Sequence, residues 1–275
     1  MSESTNRTPS QPAKPTSALG ASPQMRRVLI LLTIALIWEM YARWLNNDLL
    51  FPLLSQTLAS LFNGMTSGVL PKRVGNSLFV LLQGYAIGIA GAMVLAAVAA
   101  TTRLGADLLD LLTAVFNPLP AIALLPLALM WFGLGNGSLV FVLVHSVMWP
   151  MALNAHSGFR SVSPTLRMVG RNVGLRGLRY TTAILVPGAF PSLLAGLKIG
   201  WAFAWRTLIA AELVFGVSSG SGGLGWFIYE KKNQLDISAV FAGLLTVILI
   251  GLLIEGLLFR WIEERTVRRW GMQSH

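Results

Sequence analysis

Residues 158–191 read GFRSVSPTLRMVGRNVGLRGLRYTTAILVPGAFP and lie between two long apolar runs. The stretch carries Arg160, Arg167, Arg171, Arg176 and Arg179 and no acidic residue. Its local signals are those of two short helices. Ser163 is a suitable N-cap, Pro164 fits the first helical position, and Gly174 can supply a left-handed stop. Leu166, Val169 and Val173 fall on one face at helical spacing, with Arg167 and Arg171 together on another. A second helical piece is predicted from about Leu175 to Val186, ended by Pro187. A basic amphipathic insert of this kind needs a surface or a partner, and the flanking runs say which surface is at hand.

Those runs are typical of the whole chain. Of 275 residues, 54% are hydrophobic and only 12% charged, about half the charged share of an ordinary soluble domain (about 25%). The mean hydropathy is +0.65. Such a chain cannot cover itself with polar surface, so the class is an all-α polytopic membrane protein in a lipid bilayer. Cysteine is absent, which excludes disulfides and thiolate-ligated metals. The net charge of +10 would suit nucleic acid, but the basic residues are scattered through short inter-span segments, the pattern of membrane topology. No nucleic-acid partner is expected.

A bilayer core about 30 Å thick takes roughly 20 helical residues. That ruler gives six transmembrane helices, at about 28–45, 76–100, 108–132, 137–156, 192–215 and 237–259. Residues 1–25, rich in Ser, Thr, Pro and Gln, read as a disordered tail, and 26–271 as one membrane domain. A cleaved signal peptide is the rival reading of the first run, but no small-residue cleavage site follows promptly. The segment FPLLSQTLASLF (51–62) suggests a short interfacial helix after Pro52. Gly84, Gly88 and Gly91, and Gly196 and Gly200, are spaced as helix-packing positions.

The third span contains Asn117, Pro118, Pro120 and Pro126, so it should kink or open. Broken backbone at membrane depth is tolerated where protein buries it or a wet cavity lines it, which leaves a packing kink and a pathway as two open readings. Charges inside spans point to function because hydrocarbon penalises them. Lys198 is close enough to the span's end to reach water, a structural reading. Arg206 lies mid-span and needs a carboxylate, a wet cavity or an anionic solute. Pairing with Glu39 or Glu255 is one reading, and a place in a permeation path is the other. Glu212, six residues on, sits on the opposite helix face from Arg206. Pro118, Pro120, Arg206 and Glu212 are therefore the candidate path residues. His145 and His156, about 16 Å apart along one helix face at 1.5 Å per residue, are too far apart to share a metal and read as interhelical or interfacial hydrogen-bonding residues.

Orientation follows from the basic residues. If the N-terminus is cytoplasmic, that side receives Arg7, Lys14, Arg26, Arg27, Arg103, the five arginines of 158–191, and Arg260, Arg265, Arg268 and Arg269, fourteen in all. The other side receives Arg43, Lys72, Arg73, Lys231 and Lys232, which is five. The bias places both termini and the stretch 158–191 in the cytoplasm. Enzyme signatures are missing: there is no phosphate-cradling G-x-x-x-x-G-K-[ST], no H-E-x-x-H and no G-x-S-x-G, so neither catalytic residues nor a cofactor of its own are expected. The C-terminal WIEERTVRRW (261–270) reads as a cytoplasmic interfacial helix.

From Gly174 the chain runs nine residues to Ile184, skips one and reaches Val186-Pro187. This spacing resembles the cytoplasmic signature of ABC-importer permeases: EAA, three residues, Gly, nine residues, Ile, any residue, Leu-Pro. Met168, Val169 and Gly170 occupy the EAA positions, so all three depart, and Val186 stands for the Leu. The runs PLPAIALLPLALMWFGLG (118–135) and AWRTLIAAEL (204–213), with Gly223-Leu224-Gly225, are similar to the nitrate/sulfonate/taurine branch. The resemblance implies a type I ABC-importer permease fold in the cell inner membrane and a homodimer. It implies two cytoplasmic ATPase subunits, which would hold the ATP and Mg, and a periplasmic or lipid-anchored solute-binding protein. It makes Arg167, Met168, Val169, Gly170, Arg171, Gly174, Ile184 and Pro187 the ATPase-coupling residues and a small oxyanion the expected solute. An ion-coupled secondary transporter is the alternative. It would use the intramembrane charges as its coupling site, but the two halves of the chain show no convincing internal repeat.

Overall fold

A computed structural model describes residues 22–215 and 222–267, and no strand occurs among the described residues. The N-terminal half comprises α1 (Pro23–Leu45), α2 (Leu54–Thr66), α3 (Val69–Thr101), α4 (Arg103–Phe116), a 3-10 turn at Ala121–Leu124, α5 (Leu125–Phe132) and α6 (Asn136–Ser161). The stretch 158–191 holds α7 (Pro164–Asn172), α8 (Gly177–Tyr180), a π-helical turn at Thr181–Leu185 and α9 (Val186–Gly188). Then come α10 (Phe190–Phe215), α11 (Leu224–Asn233), α12 (Ile237–Leu253), a second π-helical turn at Ile254–Phe259, and α13 (Arg260–Arg265).

Among the described residues, five helical stretches are long and apolar enough to cross a membrane: α1, α3, α6, α10 and the continuous run Ile237–Arg265. The expected third span is a bent pair. Its two arms, Arg103–Phe116 and Ala121–Phe132, meet at 86°, and six crossings result only if the pair counts as one. The chain chemistry explains the break. Asn117 N donates to Thr113 O (3.0 Å) as the last regular helical bond, and then Pro118 and Pro120 have no N–H to continue the ladder. Pro126 breaks nothing: it sits in the first turn of α5, where its N–H would have had no partner.

The centre of the bundle is α3, α6 and α10. A Cβ on Gly84 would lie 2.4 Å from Leu143 Cβ, and one on Gly88 would lie 2.8 Å from Val147 Cβ, so α3 and α6 touch backbone to side chain along this seam. Leu81, Leu143, Val147, Leu208, Leu224 and Phe227 form the main buried cluster around it. The helix expected after Pro52 is present as α2, tied to α1 by Trp38 Nε1 donating to Pro52 O (3.0 Å) and by Ser55 N and Oγ donating to Glu39 (both 3.2 Å).

Several expected boundaries move outward. α3 starts at Val69, α6 runs to Ser161, and the last span continues to Arg265. Hydropathy stops at the first charge, whereas helical hydrogen bonding continues into the interface. α1 begins at Pro23, within the expected tail, with Ser22 Oγ accepting from Met25 N (3.3 Å) as its cap. Residues 1–21 of that tail and 268–275 of the C-terminal segment lie outside the described residues. What is described of WIEERTVRRW prolongs the last span, and Glu263 within it pairs with Lys198.

Candidate functional site

Three places collect the residues singled out above. The first is the stretch 158–191. Ser163 Oγ caps α7 by accepting from Leu166 N (3.3 Å), and Pro164 opens the helix. Gly174, at φ +79°, reverses the chain, with Gly174 N donating to Arg171 O (2.9 Å) and Leu175 N to Gly170 O (3.1 Å). The return limb then packs on α7 at Gly170, where a Cβ would lie 2.7 Å from Ile184 Cγ1 and 3.1 Å from the Tyr180 ring. The glycine at the third EAA position is thus the contact that holds the two limbs together. Arg167 turns back to the end of α6 and donates to the carbonyls of Val162 and Phe159.

Pro187 does not stop the second limb. The helix carries it through to Gly188, and the break falls at Ala189 (φ −97°, ψ 6°). The wider π turn at Thr181–Leu185 immediately precedes Pro187, and its longer hydrogen-bond register lets the helix tolerate a residue that cannot donate. Two-limb packing leaves an apolar tip in the open: Met168 is 57% exposed, Val169 51%, Val173 73% and Leu178 74%. Of the predicted face, Val169 and Val173 therefore point outward from the pair of limbs, whereas Leu166 leans on Gly188 of the return limb.

The second place is Glu212, near the far end of α10. It is 4% exposed and joins three segments. Ser77 Oγ lies 2.9 Å from both carboxylate oxygens and donates to them, Gly225 N donates to Oε2 (2.8 Å), and Ser77 Oγ accepts from Leu224 N (2.8 Å). Arg73 braces the same turn, donating to Gly222 O (3.0 Å) and pairing with Glu230 (2.8 Å). A Cβ on Gly223 would lie 2.0 Å from Glu212 Oε1, so the Gly-Leu-Gly segment is small because the carboxylate fills the space. Glu212 thus latches α3, α10 and α11 together and is not among the residues that line the cleft at the broken span.

The third place is a cleft of about 440 Å³ at the break between α4 and α5. Pro118 and Pro120 line it, together with Asn117, His145, Trp149 and Asn154. Ile199, Phe203 and Thr207 of α10 close its other side. Phe116 stacks on Trp149 with centroids 5.1 Å apart, and His145 meets the Trp149 ring edge-on at 6.0 Å. His145 Nδ1 and Nε2 and Trp149 Nε1 are buried with no hydrogen-bond partner among the described residues. The interhelical bond expected of His145 is therefore not made. Sequence reading gave His145 a structural role rather than a place in this cleft and passed over Trp149, Asn154 and Thr207; the available signal was the recurrence of polar residues on the α6 and α10 faces that meet the broken span.

Arg206 stands at the rim of this cleft and outside its lining. Its Nε donates to Ala202 O (3.0 Å), and its guanidinium lies 5.3 Å over the ring of Phe203, which does line it. It pairs with neither of the expected carboxylates. Glu39 is held by Arg43 (2.8 Å) and Ser55, and Glu255 lies exposed on the last span. Lys198 pairs with Glu263, in keeping with its structural reading.

Residues 88–268 match the family described as "Binding-protein-dependent transport system inner membrane component". The chain is 30% identical to an ABC transporter permease protein of Methanocaldococcus jannaschii, over 83% of this chain and 86% of that one. It is 28% identical to the nitrate import permease of Synechocystis, over 90% and 91% of the two chains. A permease for aliphatic sulfonates from Escherichia coli is 26% identical over 88% and 90%. With its long apolar helices, its broken span and its two-limbed loop, the chain belongs to this family and is a multi-pass inner-membrane permease subunit of an ABC importer.

Proposed function

We propose that the chain works as a homodimer, that two ATPase subunits dock on the loop 158–191 in the cytoplasm, and that a small oxyanion delivered by a solute-binding protein crosses beside the broken span. ATP and Mg would reside on the ATPases. The observation that carries the reading is the tip of the loop. Met168, Val169, Val173 and Leu178 are exposed apolar side chains on a segment rich in arginine, outside the apolar spans, where water would otherwise meet them. A protein groove is the surface that suits them, and Arg171 beside them would meet acidic residues at its edge. The Gly170–Ile184 contact makes the two limbs one body, so a displacement of the tip passes to α9 and α10 as a unit.

The excess of basic residues supports cytoplasmic termini and a cytoplasmic loop. Relatives that carry nitrate and sulfonates support a small oxyanion as the solute, and the unpartnered donors of His145 and Trp149, with Arg206 at the rim, suit one. The ion-coupled alternative is disfavoured because Glu39 and Glu212, the carboxylates it would use, are committed to Arg43 and Ser55 and to Ser77 and Gly225.

The test is uptake of nitrate, taurine and alkanesulfonates by proteoliposomes holding the chain, its ATPase and its binding protein. Uptake should require internal ATP and survive dissipation of the proton gradient; the reverse pattern would overturn the reading. Gly174→Val should abolish ATP-driven uptake while the protein still reaches the membrane, because the left-handed position costs a non-glycine residue about 1–2 kcal/mol. Normal uptake in that variant would detach the turn from coupling.

A further inference from the structure

A second cleft, of about 320 Å³, opens where α3 ends and α4 begins, against the last turns of α6. Its lining includes Thr102, Arg103, His156, Phe159, Arg160 and Arg167, and no carboxylate. Arginines from α4, α6 and α7 thus line one cleft. Among the described residues, neither Arg103 nor Arg160 takes part in an ion pair or a side-chain hydrogen bond. Arg167 uses two of its five N–H donors on the Val162 and Phe159 carbonyls, which fixes it in place and leaves the others. His156 Nδ1, on the same lining, is buried without a partner. The N-terminal end of α4 starts at the cleft and adds the favourable end of its dipole. Asp107 and Asp110 are exposed residues further along α4 and are not part of the lining, although the Asp110 charge acts on His156 against that of Arg160.

We propose that this cleft holds a phosphate group, supplied by the headgroup of an anionic phospholipid. Arginines from three helices around a cleft lined by no carboxylate suit a phosphate, since planar guanidinium groups match phosphate oxygens two at a time. The depth supplies the source. The cleft lies where the apolar runs of α3 and α6 give way to the basic loop, which is the level of lipid headgroups, and basic pockets between spans take anionic lipids there. A headgroup in this position would touch α4, α6 and α7 at once. It would brace the loop 158–191 against the arm that leads to the broken span.

The experiment titrates phosphatidylglycerol, phosphatidylcholine or inorganic phosphate into the purified full chain in neutral detergent and follows the thermal unfolding midpoint. Phosphatidylglycerol should raise the midpoint saturably and phosphatidylcholine should not. Each basic residue near an anionic surface contributes about fivefold in affinity, so Arg103→Gln with Arg160→Gln should bind about 30-fold more weakly. Arg176→Gln with Arg179→Gln removes the same charge outside the cleft and should shift the affinity by less than about twofold. If the first pair does not accumulate, Arg160→Gln alone should show the fivefold loss. Equal losses from the two pairs, or no saturable effect of phosphatidylglycerol, would overturn the site. An equal rise with inorganic phosphate alone would keep the cleft's chemistry and overturn the lipid as its source.

Discussion

The Glu212 latch and the cleft at the broken span are both buried polar sites within one apolar bundle, and they treat their hydrogen bonds in opposite ways. At the latch, the carboxylate, the Ser77 hydroxyl and the amides of Leu224 and Gly225 satisfy one another at 2.8–2.9 Å. At the cleft, both nitrogens of His145 and the indole N–H of Trp149 find no partner among the described residues. A buried polar group that is fully bonded holds structure together, whereas one left unbonded costs free energy and is retained for what it can contact. A carboxylate in a membrane span is therefore not in itself a mark of transport. The pattern of partners decides.

Four substitutions test this contrast, ordered by their expected effect on stability as read from thermal unfolding of the purified chain. Glu212→Ala should cost the most, roughly 3–5 kcal/mol, because it opens a cavity and strands two donors. Gly223→Ala follows at about 1–3 kcal/mol, since the new methyl would displace the same carboxylate at a backbone position (φ −81°) that is otherwise unstrained. His145→Leu should change stability by less than about 1 kcal/mol, because it removes groups that bond to nothing. The same variant should lower uptake about tenfold or more, the equivalent of one charge-assisted contact to the solute. A loss of stability at His145 equal to that at Glu212 would erase the contrast. Arg206→Ala should have the smallest effect on stability, within about 0.5 kcal/mol, while uptake falls. Wild-type uptake in that variant would remove Arg206 from the path and leave it as a residue stacked on Phe203.

Local signals carried most of the fold. The caps and turn of the loop were legible because Ser163, Pro164 and Gly174 act within three or four residues of themselves. The break in the third span was legible from Pro118 and Pro120 for the same reason, but its 86° angle was not, because the packing of α4 on α3 and of α5 on α6 sets it. Pro187 misled because the π turn that accommodates it leaves no mark in the composition of TTAILVP. The latch at Glu212 was hidden for a different reason. Its hydroxyl partner lies 135 positions away and its other partner is a backbone amide, neither of which a sequence displays. The orphaned state of His145 was equally hidden, since a histidine with a partner and one without read alike.

The right-angled break also changes how much insulation this chain provides. At 1.5 Å per residue, α4 is about 21 Å long and α5 about 12 Å, and neither alone reaches across a hydrocarbon core of about 30 Å. An anion crossing where the two arms meet, as proposed above, would face a low-dielectric layer shortened by that break. Electrostatic cost rises with the thickness of that layer, so the same feature that makes a passage easy to open makes it prone to leak. A short barrier has to be kept shut by side chains packed across it, and Phe116, Trp149 and Phe203 are the bulky rings at that point. Trimming any of them should show itself as passive anion conductance in the absence of ATP, before any change in the coupled cycle is measured.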